Sequence, residues 1–395
     1  MESGKRSVTR VIRTLIAGGA SSRREVEAAL GRSKASISRT VDRLLEQGYL
    51  IRGPKLNAES RGRKTTSLQV RPDLVYLIGT DLEGRAVRAC LLDGSRHVVT
   101  TAKAALGARW SVERILECWG SLIERMIAES GIPRGKIAGA GAGLPGVVMR
   151  EGLRTRAYLP PGKWVDLDVG TALSRLGLPI TAANNVVCVS DYEQRLGAAR
   201  GVKSFLSVVA RYGLGAAMCG NGFLLMGEET LTCEFGHMRI DLTGPVCICG
   251  RRGCLDVFAS GRTMPDVARR RSPAWKPELA KRSRMMGIGI ANLLKLFHPQ
   301  MVILNGVYND YESQVAPVLT KTLGEELEGL GLTVPKVVFG ENVEFKVSIG
   351  AALRAGGAFL EKHLLKSALA AKPSVGTMRG NSRAKSGARQ TPARP

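Results

Sequence analysis

The chain has 395 residues, 44% of them hydrophobic, which is enough for two or three domains with substantial cores. It contains no apolar run near the roughly 18 residues of a membrane span and no apolar segment typical of a secretory signal, so we expect a cytoplasmic protein. The net charge of +24 is concentrated at the ends, with +9 in residues 1–73 and +8 in residues 362–395. This distribution favours a polyanionic partner such as nucleic acid, although a basic tail can also serve only to keep a protein soluble.

Residues 1–72 predict a DNA-binding domain that begins with three helices. A first helix ends at Gly18-Gly19, and its apolar side chains share one stripe at helical spacing: Val8, Val11, Ile12, Leu15 and Ile16. A short helix from Ser22 to Leu30 follows, Gly31 turns the chain, and Ser33 is a suitable N-cap for a third helix. This order of elements is typical of a helix-turn-helix.

The third helix and the segment after it carry the residues expected to contact DNA. On the helix these are Ser36, Arg39 and Arg43, which lie opposite its apolar face, and Lys34 near its start; together they suit entry into a major groove. Two predicted strands, residues 49–51 and 67–70, enclose a basic loop and complete a winged helix. In that loop Arg61, Arg63 and Lys64 are expected to enter a minor groove. A three-helix module that binds a protein partner is the alternative.

Residues 73–365 predict an α/β body. Strand-like segments at 76–81, 86–92, 205–210 and 301–304 alternate with helical segments at 110–130 and 284–297, and residues 137–146 read as a glycine-rich strand and loop. From Lys366 onward the chain has almost nothing to bury, so we expect residues 366–395 to form a basic disordered tail.

A metal site is predicted in the segment from Glu234 to Gly261. Within 18 residues it contains one histidine and three cysteines, a complete Cys3His ligand set for zinc: His237, Cys247, Cys249 and Cys254. Four protein ligands leave no open position, so the zinc is expected to be structural. The alternative is a group of ordinary buried thiols beside a core histidine.

Two carboxylates flank this ligand set, Glu234 before His237 and Asp256 after Cys254. A metal that fixes His237 would also fix these carboxylates, which suits a ligand with several hydroxyl groups. Alternatively, the two residues only support the loop.

The segments EFGHM, CICGRRGC and LDVFASG resemble the signature of the ROK family, which comprises repressors, open reading frames and sugar kinases. The family usually has Glu where Asp256 stands. The resemblance implies a two-lobed, actin-like (ribonuclease-H-like) body with the zinc knuckle, and the N-terminal segment resembles the winged helices that open ROK repressors, which the kinases lack. The expected fold is therefore α/β, with an N-terminal winged helix-turn-helix.

Compared with the family's kinases, four segments expected to bind nucleotide or to act on the substrate are altered: Asp81-Leu82-Glu83-Gly84-Arg85, Asn184-Asn185, Arg211-Tyr212-Gly213-Leu214-Gly215 and Asn305-Gly306. Glu83 stands where the family's kinases have a glycine that leaves space for the nucleotide's phosphates. Asn185 stands where the resemblance implies a general base. An amide cannot accept the proton that a base must remove. We therefore expect no catalysis.

The sequence thus favours a transcriptional regulator, most simply a repressor, that forms a homodimer or homotetramer on double-stranded operator DNA. The resemblance implies a monosaccharide or derivative as effector, bound by Asn184, Asn185, Glu234, His237 and Asp256. Three alternatives stay open. The cleft could serve only in dimerisation, the chain could be an active ATP-dependent sugar kinase with a DNA module, or it could be an architectural protein that senses no sugar.

Overall fold

The computed structural model describes residues 2–16, 22–56, 65–107, 110–149, 153–160, 162–220, 223–225, 234–265, 270 and 272–370. Within these segments the chain forms an N-terminal winged helix followed by two α/β lobes. No helix among the described residues is both long and apolar enough to cross a membrane.

The winged helix consists of three helices and an antiparallel hairpin: α1 (Glu2–Ile16), α2 (Arg23–Leu30), α3 (Lys34–Glu46), β1 (Leu50–Leu56) and β2 (Thr65–Val70). The hydroxyls of Ser22 and Ser33 cap α2 and α3 by accepting hydrogen bonds from backbone N–H groups in the first turns. Gly31 ends α2 with a left-handed φ of 58° and makes the turn between the two helices. The predicted order of elements is confirmed.

The first lobe contains a five-stranded sheet and a small three-stranded one. The larger sheet comprises β3 (Tyr76–Glu83), β4 (Ala86–Asp93), β5 (Val98–Ala105), β6 (Ile137–Leu144) and β10 (Ile180–Asn184). Between β6 and β10 the chain forms β7 (Val147–Val148), β8 (Arg154–Leu159), β9 (Lys163–Asp168) and helix α5 (Val169–Ser174). Helix α4 (Val112–Ser130) packs against β4 and β5. Its apolar face, which includes Trp119 and Ile123, is buried in the core of the lobe.

The second lobe repeats this sheet. Its strands are β11 (Ser204–Ala210), β12 (Leu214–Gly220), β13 (Phe223–Leu225), β14 (Met301–Gly306) and β15 (Lys336–Phe339). The spatial orders β10-β6-β3-β4-β5 and β15-β14-β11-β12-β13 correspond strand by strand, with the same parallel and antiparallel pairs. This duplication is the arrangement that the resemblance implied.

Before the last helix, the described part of the body contains four more: α6 (Asn185–Arg195), α7 (Leu255–Ala259), α8 (Trp275–Phe297) and α9 (Glu312–Leu327). Helix α8 begins nine residues before the predicted start at Arg284. Trp275 and Leu279 extend the apolar face of the helix into the core of the second lobe, and this explains the earlier start.

The last described helix, α10 (Lys346–Ala370), packs on β3 and β6, on α6 and on α1 of the winged helix. Glycines in the strands permit this close packing, since a Cβ at Gly79 would lie 1.8 Å from the carbonyl oxygen of Ser348 and one at Gly141 1.9 Å from that of Ala351. The helix also corrects the predicted boundary of the tail. Residues 366–370, expected to be disordered, continue α10, because their alanine and leucine favour a helix. The rest of that segment, 371–395, lies outside the described residues.

Candidate functional site

The four predicted metal ligands converge on one point. A ring nitrogen of His237 and the Sγ atoms of Cys247, Cys249 and Cys254 all lie within 4.8 Å of one another. The Sγ of Cys247 is 3.6 Å from Nδ1 of His237, and the Sγ atoms of Cys249 and Cys254 are also 3.6 Å apart. In a tetrahedron with zinc–sulfur bonds of about 2.3 Å the ligand atoms are about 3.8 Å apart, so this geometry fits zinc.

Two glycines give the loop its shape. Gly250 and Gly253 have φ angles of 83° and 68°, which favour glycine, and a Cβ at Gly253 would lie 1.3 Å from the carbonyl oxygen of Asp241. Burial and the neighbouring thiols raise the pKa of Cys254 to about 12. A metal ion at this site would therefore have to displace a tightly held proton.

A cavity of about 160 Å³ lies beside this cluster, between the two lobes. All five residues predicted to bind a small ligand line it, namely Asn184, Asn185, Glu234, His237 and Asp256. The Nε2 atom of His237 lies 3.9 Å from a carboxylate oxygen of Glu234, so Nδ1 faces the thiols while the other ring nitrogen faces the flanking carboxylate.

The backbone around these residues explains their positions. Asn184 is the N-cap of α6, with its Oδ1 accepting from the N–H of Val186 at 2.8 Å and its Nδ2 donating to the carbonyl of Gly146 at 2.7 Å. These bonds use both polar ends of Asn184, so the half-buried Asn185 is the amide better placed to contact a ligand. A Cβ at Gly236 would lie 2.5 Å from the carbonyl oxygen of Leu214, which accounts for the glycine of the EFGH segment.

Several lining residues were missed by the sequence analysis. Arg262 is one of them, and it donates to Oδ2 of the buried Asp256 in a close ion pair. Strands β8 and β9 contribute Tyr158 and Trp164, whose ring centroids are 5.5 Å apart in an edge-to-face arrangement. No periodic pattern marks these three residues, because they come from a loop and a short hairpin that only the fold brings to the cavity.

Residues of the segments that the sequence analysis compared with those of the family's kinases also meet in the cleft, where a second cavity of about 600 Å³ adjoins the first. Glu83 accepts a hydrogen bond of 2.6 Å from Arg211 of the other lobe. Asn305 accepts one of 2.8 Å from Lys346, whose Nζ also donates to Glu193 at 2.8 Å. Asp191, the carboxylate that follows Asn185 along the chain, is buried on α6 and is paired with Arg195 and Arg354 instead.

The predicted DNA-binding residues of α3 lie on its outer face, with Lys34, Arg39 and Arg43 exposed and Ser36 half-buried. Arg23 of α2 was not predicted and forms an ion pair with Asp42 on the same face. This hydrogen-bonded pairing lowers the pKa of Asp42. The wing residues Arg61, Arg63 and Lys64 lie outside the described residues.

A winged helix joined to a duplicated α/β body with a Cys3His cluster beside the cleft defines a ROK-type regulator. The ROK family profile matches residues 77–353, and that of the MarR family matches residues 5–55. The chain belongs to the ROK family and carries a MarR-type winged helix.

Known proteins similar to the chain include both regulators and kinases. The xylose repressor of Caldicellulosiruptor bescii is 27% identical over 327 residues, which cover 74% of this chain and 81% of that protein. The glucokinase of Streptomyces coelicolor is 25% identical over 289 residues, 64% of this chain and 88% of the kinase. Among solved structures, a ROK family transcriptional regulator described as a homologue of Escherichia coli Mlc superposes with a TM-score of 0.71 at 21% identity, covering 93% of this chain and 99% of the other.

Proposed function

We propose that this protein is a DNA-binding transcriptional repressor of sugar metabolism. The winged helix binds operator DNA, and the ROK body senses a monosaccharide or derivative. The observation that carries this proposal is the union, in one chain, of an exposed basic recognition helix and a cleft lined by Asn185, Glu234, His237 and Asp256. Similarity to a xylose repressor supports the class of effector.

The cluster of His237, Cys247, Cys249 and Cys254 would hold a structural zinc ion. Because all four ligands come from the protein, the metal would have no open position for catalysis. Its role is to fix the loop that carries Glu234 and the ring of His237, whose Nδ1 faces the thiols. The orientation of His237 toward the cavity then depends on the metal.

The altered segments support a sensor without kinase activity. Asn185 cannot serve as a base, and Glu83 and Arg211 bind each other where a phosphate-binding turn would be required. The alternative is an active ATP-dependent sugar kinase that carries a DNA module, and the similarity to a glucokinase favours it. Measuring ADP release in the presence of xylose, glucose and N-acetylglucosamine distinguishes the two, and we expect no release.

A packed path leads from the cavity to the DNA-binding domain. Helix α6 starts at Asn185 in the cavity wall and packs on α10, which in turn packs on α1. A sugar that favours one arrangement of the lobes would therefore change the position of the winged helix. In a homodimer or homotetramer, paired winged helices must match half-sites about one helical turn apart or a multiple of it, so a small rotation weakens binding.

Fluorescence anisotropy tests the proposal. The zinc-loaded full-length protein is titrated onto a labelled duplex from the region upstream of its own gene, with a scrambled duplex of equal length as control. A thermal-shift panel of sugars and sugar phosphates identifies the effector, which is then added to the DNA complex. We expect preference for the native duplex and release by one sugar. Equal binding to both duplexes would contradict the role in DNA recognition, and a panel with no stabilising sugar would contradict sensing.

A further inference from the structure

An ion pair connects the two lobes at the centre of the cleft. Glu83 is the last residue of β3 in the first lobe, and Arg211 directly follows β11 in the second. The Nη1 atom of Arg211 donates to Oε2 of Glu83 at 2.6 Å. Both side chains are largely shielded, with 18% of Arg211 and 26% of Glu83 exposed, so water screens this pair less than it would a surface pair.

Each end of the pair is held by its own lobe. Glu83 also binds Arg88 of β4, and Arg88 in turn donates from Nε to the buried Asp81 at 3.1 Å and from Nη1 to the carbonyl of Glu344 at 2.8 Å. In the second lobe, the carbonyl oxygen of Arg211 accepts from the N–H of Gly261 at 2.7 Å. The pair therefore joins a carboxylate that is held by Arg88 in the first lobe to an arginine whose backbone is hydrogen-bonded within the second lobe.

The position of the pair connects it to both cavities. Glu83 and Arg211 line the smaller cavity that contains Asn185 and His237, and they also line the larger cavity that contains Asn305 and Lys346. They thus form part of the boundary between the two spaces. A ligand in the smaller cavity that has a hydroxyl group at this end could donate to Glu83 and accept from Arg211 at the same time.

We propose that the Glu83–Arg211 ion pair is a clasp that holds the lobes together without a nucleotide, and that it also binds a polar group of the effector. The first part concerns the protein alone, whereas the second rests on the proposed sugar-sensing function. Since a ligand that bridges both side chains would be bound best when the lobes are close, the clasp favours the arrangement that binds the effector.

The distance between the lobes tests the clasp without any ligand. Spin labels on p-acetylphenylalanine at two exposed positions, Ala128 in the first lobe and Leu296 in the second, avoid the native cysteines. Double electron–electron resonance on the full-length protein should give a narrow distance distribution. We expect Arg211→Gln to broaden it and shift it to longer distances. Arg211→Lys, which keeps the charge, should restore much of the original distribution.

A double-mutant comparison and a control complete this test. Glu83→Gln, which also weakens the pair with Arg88 inside the first lobe, should likewise broaden the distribution. The double variant should add little to it, because either single substitution already removes the ion pair between the lobes. The control is Lys103→Gln, which removes an exposed ion pair between β5 and Glu344, in the segment just before α10, and should change nothing. A distribution for Arg211→Gln that matches the unsubstituted protein, or an equal change in Lys103→Gln, would overturn the clasp.

The effector part is tested with any sugar that stabilises the unsubstituted protein in the thermal-shift panel. Arg211→Gln should bind that sugar about tenfold or more weakly, while Lys103→Gln binds it normally. Equal affinity in Arg211→Gln would refute the contact with the effector. If no sugar stabilises the unsubstituted protein, sensing fails and the second part fails with it, but the distance measurement still decides the clasp.

Discussion

The buried lysine at the start of α10 allows a quantitative test of how much an ion pair beside the cleft contributes to the stability of the protein. Lys346 and Glu193 have side chains only 2% and 1% exposed, and Nζ lies 2.8 Å from the carboxylate. Lys346→Met would remove the cation but leave the carboxylate buried, with the N–H of Ala198 as a remaining donor at 2.9 Å. Removing one partner of such a pair typically costs about 3–5 kcal/mol.

The assay is chemical denaturation, monitored by tryptophan fluorescence, to which the buried Trp119 contributes. We expect Lys346→Met to lower the free energy of unfolding by about 3–5 kcal/mol. Lys346→Met combined with Glu193→Gln should recover part of this loss, because no charge is then buried alone. Lys103→Met at the exposed pair is the matched control and should cost less than about 1 kcal/mol. A loss for Lys346→Met no larger than that of the control would refute the reasoning.

Further predictions concern metal, DNA and catalysis. Cys249→Ser should lose zinc, as measured by metal analysis, and should have a lower melting temperature. The control Cys118→Ser, outside the cluster, should keep one full equivalent of zinc. Full zinc content in Cys249→Ser would refute the ligand assignment. Arg39→Ala should weaken operator binding by about 1–3 kcal/mol, with the exposed Arg114→Ala as control, and unchanged binding in a gel-shift assay would remove Arg39 from the interface. Neutralising the three basic wing residues should also flatten the salt dependence of binding, and an unchanged slope would contradict that contact. Asn185→Asp should still release no ADP, since the phosphate-binding segments remain altered; turnover would show that the amide alone prevents catalysis.

The sequence singled out the four residues of the Cys3His cluster and five residues that line the cavity, because these lie in short motifs. Spacing places His237 and Cys254 within 18 residues, and the resemblance supplied the fold that brings Asn185 beside them. The helix order of the winged helix was likewise evident from the apolar stripe and the capping residue Ser33. In each case the residues that support the prediction are close together in the sequence or belong to one motif.

The ion pairs were not predictable in this way. Glu83 and Arg211 are 128 residues apart, and each was interpreted alone as a departure from a glycine-rich segment. The ends of β3 and β11 come together only when the two sheets fold. The ion pair between Glu83 and Arg211 is therefore visible in the structure and not in any pattern of the sequence. The same holds for Asp256 and Arg262, whose six-residue spacing crosses the end of a helix.

The contact between α1 and α10 has a consequence for protein engineering. Ile12 and Ile16 of α1 are buried in the same core as Leu77 and Leu353, and Gly356 lets the helices approach, since a Cβ there would lie 3.2 Å from Ile16. A winged helix excised from this chain would expose to water the apolar surface that packs on α10, including part of Ile16, and would tend to self-associate. A chimaera in which this winged helix is fused to an unrelated sensor domain must therefore also include a surface that replaces α10.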